Sequence, residues 1–215
     1  MRIALGTRNP DKVREIREIL KSEKGVTLLD LPADTPKIVE DRRTFLGNAE
    51  KKALETAKAL GTWVLAEDSG LEVDTLGGEP GVHSHRFAGE PPDDAANNRL
   101  LVERMQGIPF DQRTARYRCA AVIADRTEVL AFAEGVCEGW ILEAPRGTGG
   151  FGYDPYFFSK ELGKTFAEAT PAEKNHVSHR AQAIARLHEN MKGLYRKQSL
   201  DSSGDMGALP EWGHP

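Results

Sequence analysis

From Trp63 to Ala66 the chain reads Trp-Val-Leu-Ala, apolar at every position, and no other stretch limits the fold as much. A strand with one wet face alternates apolar and polar side chains, whereas a short continuous run belongs to a strand covered on both faces. Arg2 to Gly6 has the same character, and Val26 to Leu29 reads as a further strand. Between and after them come helical patterns. Asn9-Pro10-Asp11 offers a cap and a proline for the first helical position, and Val13, Ile16, Ile19 and Leu20 continue with helical spacing. A second helix is expected from about Thr44 to Leu60, ended by Gly61, and a third over Asp93 to Met105. Ala115 to Ala124 and Val129 to Val136 read as a long hairpin turning at Asp125-Arg126-Thr127, and Tyr156 to Phe158 as a short strand. Thr170-Pro171-Ala172-Glu173 has the form of a capping box opening one last helix, with Val177, Ala181, Ile184, Leu187, Met191 and Leu194 three or four apart. Strands alternating with helices, plus a hairpin, give an α/β fold with a mixed sheet.

The 215 residues, 39% of them hydrophobic, suffice for one sizeable core or two lobes sharing a sheet. Residues 199–215 are rich in Gly, Ser, Asp and Pro without periodicity, so a single domain over 1–198 with a disordered tail is expected. Thr62 to Ala66 and Cys119 to Ala124, the longest apolar stretches, fall far short of the ~20 residues of a membrane span. The start of the chain lacks the features of a signal peptide, which places the protein in the cytoplasm. Cys119 and Cys137 show no CxxC spacing and read as reduced structural thiols. With a net charge of −4 and dispersed Lys and Arg, a nucleic-acid partner is not expected; a small anion gripped locally is compatible.

Four segments carry candidate chemistry. Thr7-Arg8-Asn9-Pro10-Asp11-Lys12 follows a buried strand and opens a helix, where free backbone N–H groups suit a phosphate. An ordinary capped helix with a solvated lysine fits the same spacing. Glu67-Asp68-Ser69-Gly70 places two neighbouring carboxylates where the buried strand is expected to end, a donor set for magnesium, with Glu40 and Asp41 as further sources of a ligand. A pair of surface acids at a turn is the alternative. Gly147 to Gly152 matches GxGxxG, but Pro155 and an extended aromatic run follow it, so the dinucleotide reading fails. What remains is a loop presenting Phe151 and Tyr153 for stacking on a base and Asp154 as acceptor, or a hairpin connection with core aromatics. Lys174, His179 and Arg180 sit at and beyond the capped helix start, able to meet phosphate and purine oxygens, or simply solvated. Gly163-Lys164-Thr165 mimics a P-loop end, but Phe158 stands where the glycine is required, and GxSxG and HExxH are absent.

Taken in order, these blocks closely resemble the family of inosine triphosphate pyrophosphatases, which act on non-standard purine nucleotides. The resemblance runs to about Leu194 through TRNPDK at 7 to 12, TFxxNAxxKA at 44 to 53, EDSGLEVDTLGGEPGVHSHRFAG at 67 to 89, GFGYDP at 150 to 155 and FAEATPAEKNHVSHRAQA at 166 to 183. It implies a long mixed sheet with helices forming two lobes around a central cleft, paired as a homodimer. It implies that Thr7, Arg8, Asn9, Pro10, Asp11 and Lys12 cradle the triphosphate together with Lys52 and Lys174, and that Ser69 lies against substrate. Asp68 would be general base and Mg2+ ligand with Glu67 and Glu40 beside it, Phe151, Gly152, Tyr153 and Asp154 would border base and sugar, and His179 and Arg180 would read the 6-oxo group. The implied reaction is hydrolysis of inosine, deoxyinosine or xanthosine triphosphate to monophosphate and pyrophosphate. Two rivals are open at this point: a related pyrophosphatase for modified pyrimidines or standard nucleotides, and a nucleotide sensor without turnover.

Overall fold

In the computed structural model, which describes residues 2–23 and 25–201, one sheet of seven strands runs in the order β2-β1-β3-β4-β5-β6-β7. The strands are β1 Arg2–Leu5, β2 Thr27–Leu29, β3 Trp63–Val73, β4 Thr114–Ala124, β5 Val129–Ile141, β6 Phe157–Ser159 and β7 Lys164–Thr165. β1 lies parallel to β2 and to β3, and every pairing from β3 onward is antiparallel. The helices are α1 Pro10–Ile19, α2 Phe45–Leu60, α3 Asp94–Arg104, α4 Pro171–Val177 and α5 His179–Asp201. The expected α/β class and mixed sheet are therefore what the chain forms.

Alternation along β3 divides the molecule. On one face Leu65 packs with Ile3, Leu5, Cys119 and Ala121 against Ile16 of α1 and Ile184 and Leu187 of α5. On the other, Val64 and Ala66 pack with Ala120 and Val122 against Phe45, Ala49, Ala53 and Ala57 of α2. Further along, Leu71 and Val73 join a third cluster with Leu101, Met105, Tyr117, Phe157 and Phe166. The first and third clusters share a face of β3, and between Leu65 and Leu71 that face carries only Glu67 and Ser69. The polar gap between two apolar cores is where a cleft can open.

Two expectations about elements are corrected. Ser69-Gly70 does not end the strand: β3 continues unbroken to Val73, with Ser69 paired to Cys119 and Gly70 to Arg118. Gly70 is needed because a Cβ there would lie 2.3 Å from Ser84 Oγ and 2.5 Å from the Gly81 carbonyl, so a Gly81–Arg86 3-10 turn packs directly on the strand backbone. The last helix is two. The Thr170 capping box forms as expected, but α4 stops at Ser178, whose backbone is extended and whose hydroxyl accepts from the Ala181 N–H to start α5. The expected boundary at 198 falls inside α5, and the rest of the tail, 202–215, lies outside the described residues. No helix among the described residues is long and apolar enough to cross a membrane.

Candidate active site

The turn from β1 into α1 is closed on itself. Asn9 Oδ1 accepts from the N–H of Asp11 at 2.9 Å and of Lys12 at 3.2 Å, Thr7 Oγ1 accepts from the Asn9 N–H at 3.2 Å, and the Val13 N–H reaches the Asn9 carbonyl. The free helix N–H groups expected here are thus already taken by the cap. Arg8 turns away to donate to the carbonyls of Pro32, Ala33 and Thr35, pinning that loop, while Asp11 pairs with Arg14 at the surface. Lys12 is the residue of this segment that reaches β3, its Nζ 2.7 Å from Glu67 Oε1. That ion pair answers the unfavourable placing of a cation in a first helical turn.

Consecutive residues of a continuous strand project to opposite faces, and this separates Glu67 from Asp68. Glu67 is 1% exposed and faces Lys12, Arg180 at 3.5 Å and the Cys119 thiol, which donates to its Oε2 at 3.3 Å. Burial pushes its carboxyl up, but Lys12, Arg180 and Lys52 together outweigh burial and hold it well below the ordinary value. Asp68 faces α2 instead. Asn48 Nδ2 donates to its Oδ2 at 2.9 Å, and Lys52 Nζ lies 3.4 Å from its Oδ1 and 3.1 Å from Glu40 Oε1. For Asp68 burial wins over the attraction of Lys52 and Lys12, and its carboxyl is raised.

Glu67 and Asp68 thus have different direct partners, although Lys12 and Lys52 act on both carboxyls, and among the described residues no group of three or more His, Cys, Asp or Glu forms a metal-holding cluster. Glu40 and Asp68 do converge, on the ammonium of Lys52. Two oxygen donors around a positive centre suit a hard divalent ion, which needs only one or two protein carboxylates when substrate phosphates complete its shell.

Beyond Glu67 the charge network continues. Arg180 donates to Ser69 Oγ at 2.8 Å and pairs with Glu15, which also meets Lys174 Nζ at 2.8 Å. Lys174 reaches Asp154 Oδ2 at 2.6 Å and lies 4.7 Å from the centre of the Phe151 ring, with Arg180 5.8 Å from the same ring. Asp154 also accepts from the Phe151 N–H at 2.9 Å and from Tyr117 Oη at 3.3 Å. His179 stacks on Tyr117 with centroids 4.7 Å apart and planes 8° from parallel. Burial, then Arg180 and Lys174, push His179 well below its ordinary value, so at neutral pH it is an uncharged imidazole. Tyr153 is not presented for stacking: its hydroxyl donates to the Ser84 carbonyl at 2.7 Å and its ring is buried in the third cluster.

So Lys12, Glu67, Ser69, Asp154, Lys174, His179 and Arg180, chosen from separate parts of the sequence, fall in one connected network, while Lys52 and Asp68 pair with Glu40 and Asn48 in a second cluster toward α2. Three members of the two went unread. Glu15 lies three residues after Lys12, and Asn48 four before Lys52, so each shares a helix face with a residue already singled out. That spacing was the available signal. Tyr117, on β4, carried none.

Fold and site together define an α/β protein in which buried lysines and an arginine are paired with carboxylates on either side of β3. The chain matches the Ham1 family over residues 3–190, and it belongs to that family. It is 47% identical over 202 residues to the dITP/XTP pyrophosphatase of Desulforamulus reducens, spanning 93% of this chain and 100% of that one. To the dITP/XTP pyrophosphatase of Geobacillus kaustophilus it is 48% identical over 195 residues, spanning 89% and 95%. Among solved structures it superposes on a HAM1 protein from Coxiella burnetii with a TM-score of 0.81 at 34% identity, covering 90% of this chain and 99% of that one. For the Staphylococcus aureus Ham1 protein the TM-score is 0.79 at 33% identity, covering 90% and 100%.

Proposed function

We propose that this chain hydrolyses non-standard purine nucleoside triphosphates, such as those of inosine, deoxyinosine and xanthosine, to the monophosphate and pyrophosphate, clearing them from the cytoplasmic nucleotide pool. The observation that carries the reading is the Asp68 carboxylate, 5% exposed and held between Asn48 and Lys52, in a family whose relatives carry that activity in their names. Asp68 takes a proton from the attacking water. The water oxygen bonds to the α-phosphorus as the bond from the α-phosphorus to the oxygen bridging it to the β-phosphorus breaks, and pyrophosphate leaves carrying that oxygen. Lys12, Lys52 and Lys174 meet the charge on the phosphate oxygens, the electrostatic contribution that phosphoryl chemistry depends on. Asp68 and Glu40 would hold Mg2+, which supplies further positive charge to those oxygens. Glu67 anchors Lys12 and Arg180. Thr7, Asn9 and Pro10 shape the turn that delivers Lys12, with Arg8 and Asp11 bracing it.

Phe151 faces the base, with Gly152, Tyr153 and Asp154 fixing its loop. Arg180 and the neutral His179 donate to a 6-oxo group, which an adenine amino group cannot satisfy. Two copies pair through the sheet face where Arg116 and Arg118 alternate with Glu72, Asp74, Glu134 and Glu138 and where Phe132 is 51% exposed. A light-scattering mass of one chain at micromolar concentration would refute that pairing.

The experiment for activity measures pyrophosphate from dITP, XTP and dATP with and without Mg2+. Strong preference for dITP and XTP, dependence on the metal, and a fall in kcat of about 10³-fold in Asp68→Asn are expected. Equal turnover of all three nucleotides defeats the specificity, and full activity in the variant defeats the role of Asp68.

A further inference from the structure

The loop that carries Phe151 is gripped from two sides, and only one grip belongs to the charge network. On the inner side the Phe151 N–H is held by Asp154, itself bound to Lys174. On the outer side α3 takes the next residue by both of its peptide groups: Asn98 Nδ2 donates to the Gly152 carbonyl at 2.9 Å, and the Gly152 N–H donates to Asp94 Oδ2 at 3.0 Å. Asp94 and Asn98 are four apart, one above the other on the helix. A two-point hold on one residue fixes its rotation as well as its place.

The loop gives the hold something to act on. Gly150 and Gly152 are left-handed, at φ 70° and 60°, a conformation open to neighbouring arrangements once its anchors go. The helix, in turn, is firmly seated. Neighbouring Asn97 accepts from the Ala88 N–H at 2.8 Å and donates to the His85 carbonyl at 3.0 Å, and Leu101 is fully buried beneath. α3 thus ties the loop at 150–154 to the turn packed on Gly70 of β3.

The geometry points to Asp94 and Asn98 as positioning residues for base recognition: by clamping Gly152 they set the height of the Phe151 ring over Lys174 and Arg180. This rests on the reading that a purine base enters beside Phe151. The clamp touches no phosphate and lies away from Asp68, so it governs how well the base is held rather than how fast the P–O bond breaks.

The test uses the full chain with Asp94→Ala, Asn98→Ala and the conservative Asp94→Asn, which keeps an acceptor. Backbone amide exchange over 148–155 without nucleotide should quicken about tenfold in both alanine variants and stay near wild type in Asp94→Asn. With dITP, KM should rise about tenfold in the alanine variants while kcat changes less than about threefold, Asp94→Asn should restore KM, and preference over dGTP should narrow. Unchanged exchange overturns the clamp. Faster exchange with an unchanged KM overturns its role in recognition, and so does a loss of kcat and melting temperature in step with KM, the mark of a merely structural contact. A wild-type protein that leaves dITP intact defeats the pyrophosphatase reading and, with it, the role in recognition, while the exchange measurement still judges the clamp itself.

Discussion

Glu15 places one carboxylate against two cations, Lys174 and Arg180, at a point where only 8% of the residue meets solvent. Burial alone would push its carboxyl up, but Arg180 and Lys174 pull harder and leave it below the ordinary value. The arrangement has a consequence for truncation. Glu15→Gln keeps the shape and removes the charge, stranding an ammonium and a guanidinium with Asp154 and Glu67 as their remaining acids. Breaking one partner out of a buried ionic cluster costs about 3–5 kcal/mol, because the other charges stay desolvated. Urea unfolding at neutral pH should show a loss of that order. A loss under about 1 kcal/mol would mean that water reaches these groups and the cluster is surface-like.

Among the elements, β3 places the polar residues Glu67, Asp68 and Ser69 between the apolar clusters, and it is also where the sequence misleads most. Ser-Gly after an apolar run normally marks a turn, yet here the glycine marks a close approach, visible only once the Gly81–Arg86 turn is in place. Gly70→Ala brings a Cβ against the Gly81 carbonyl, a backbone atom that cannot swing aside. We expect about 1–3 kcal/mol of destabilisation in thermal melts, with dITP turnover falling as Asp68 is displaced; a variant as stable and active as wild type would mean that the turn is loosely docked. Most other elements were legible, since caps such as Asn9, Thr44, Asp93 and Thr170 and the apolar spacing are local signals. The break at Ser178 was hidden because Val177 and Ala181 keep helical spacing across it, although a serine suited to capping was present. The candidate site residues are read from short local motifs. Their partners Glu15, Asn48 and Tyr117 make contacts spanning 20 to 165 positions; helical spacing places Glu15 and Asn48 on a face with Lys12 and Lys52 but does not encode those contacts, and Tyr117 has no local signal at all.

Across the whole molecule the buried titratable groups make stability a function of pH with a definite sign. His179 is held well below 6.5, so as pH falls through 6.5 the unfolded chain gains a proton that the folded one refuses. Stability then drops by about 1.4 kcal/mol per pH unit, until the folded imidazole itself protonates. Glu15 and Glu67, both held below 4.5, add the same sign of loss as pH falls below that value, because the unfolded carboxylates protonate first. Asp68 works against them: its raised carboxyl keeps a proton that the unfolded chain, with an ordinary value of 3.8, has released. On the alkaline side Cys119 and Tyr117 are raised well above 9.0 and 10.0, so the unfolded chain ionises first and stability falls as pH climbs past those values. A plateau between about 6.5 and 9 with losses on both sides is expected in urea midpoints measured across pH. His179→Phe keeps an aromatic ring on Tyr117 and removes the proton, and should flatten the slope between about 6.5 and 4.5 while leaving the steeper limb below it. An unaltered slope in that variant would assign the upper limb to some other group and put His179 in contact with water, which its stacking against Tyr117 and its place in the network argue against.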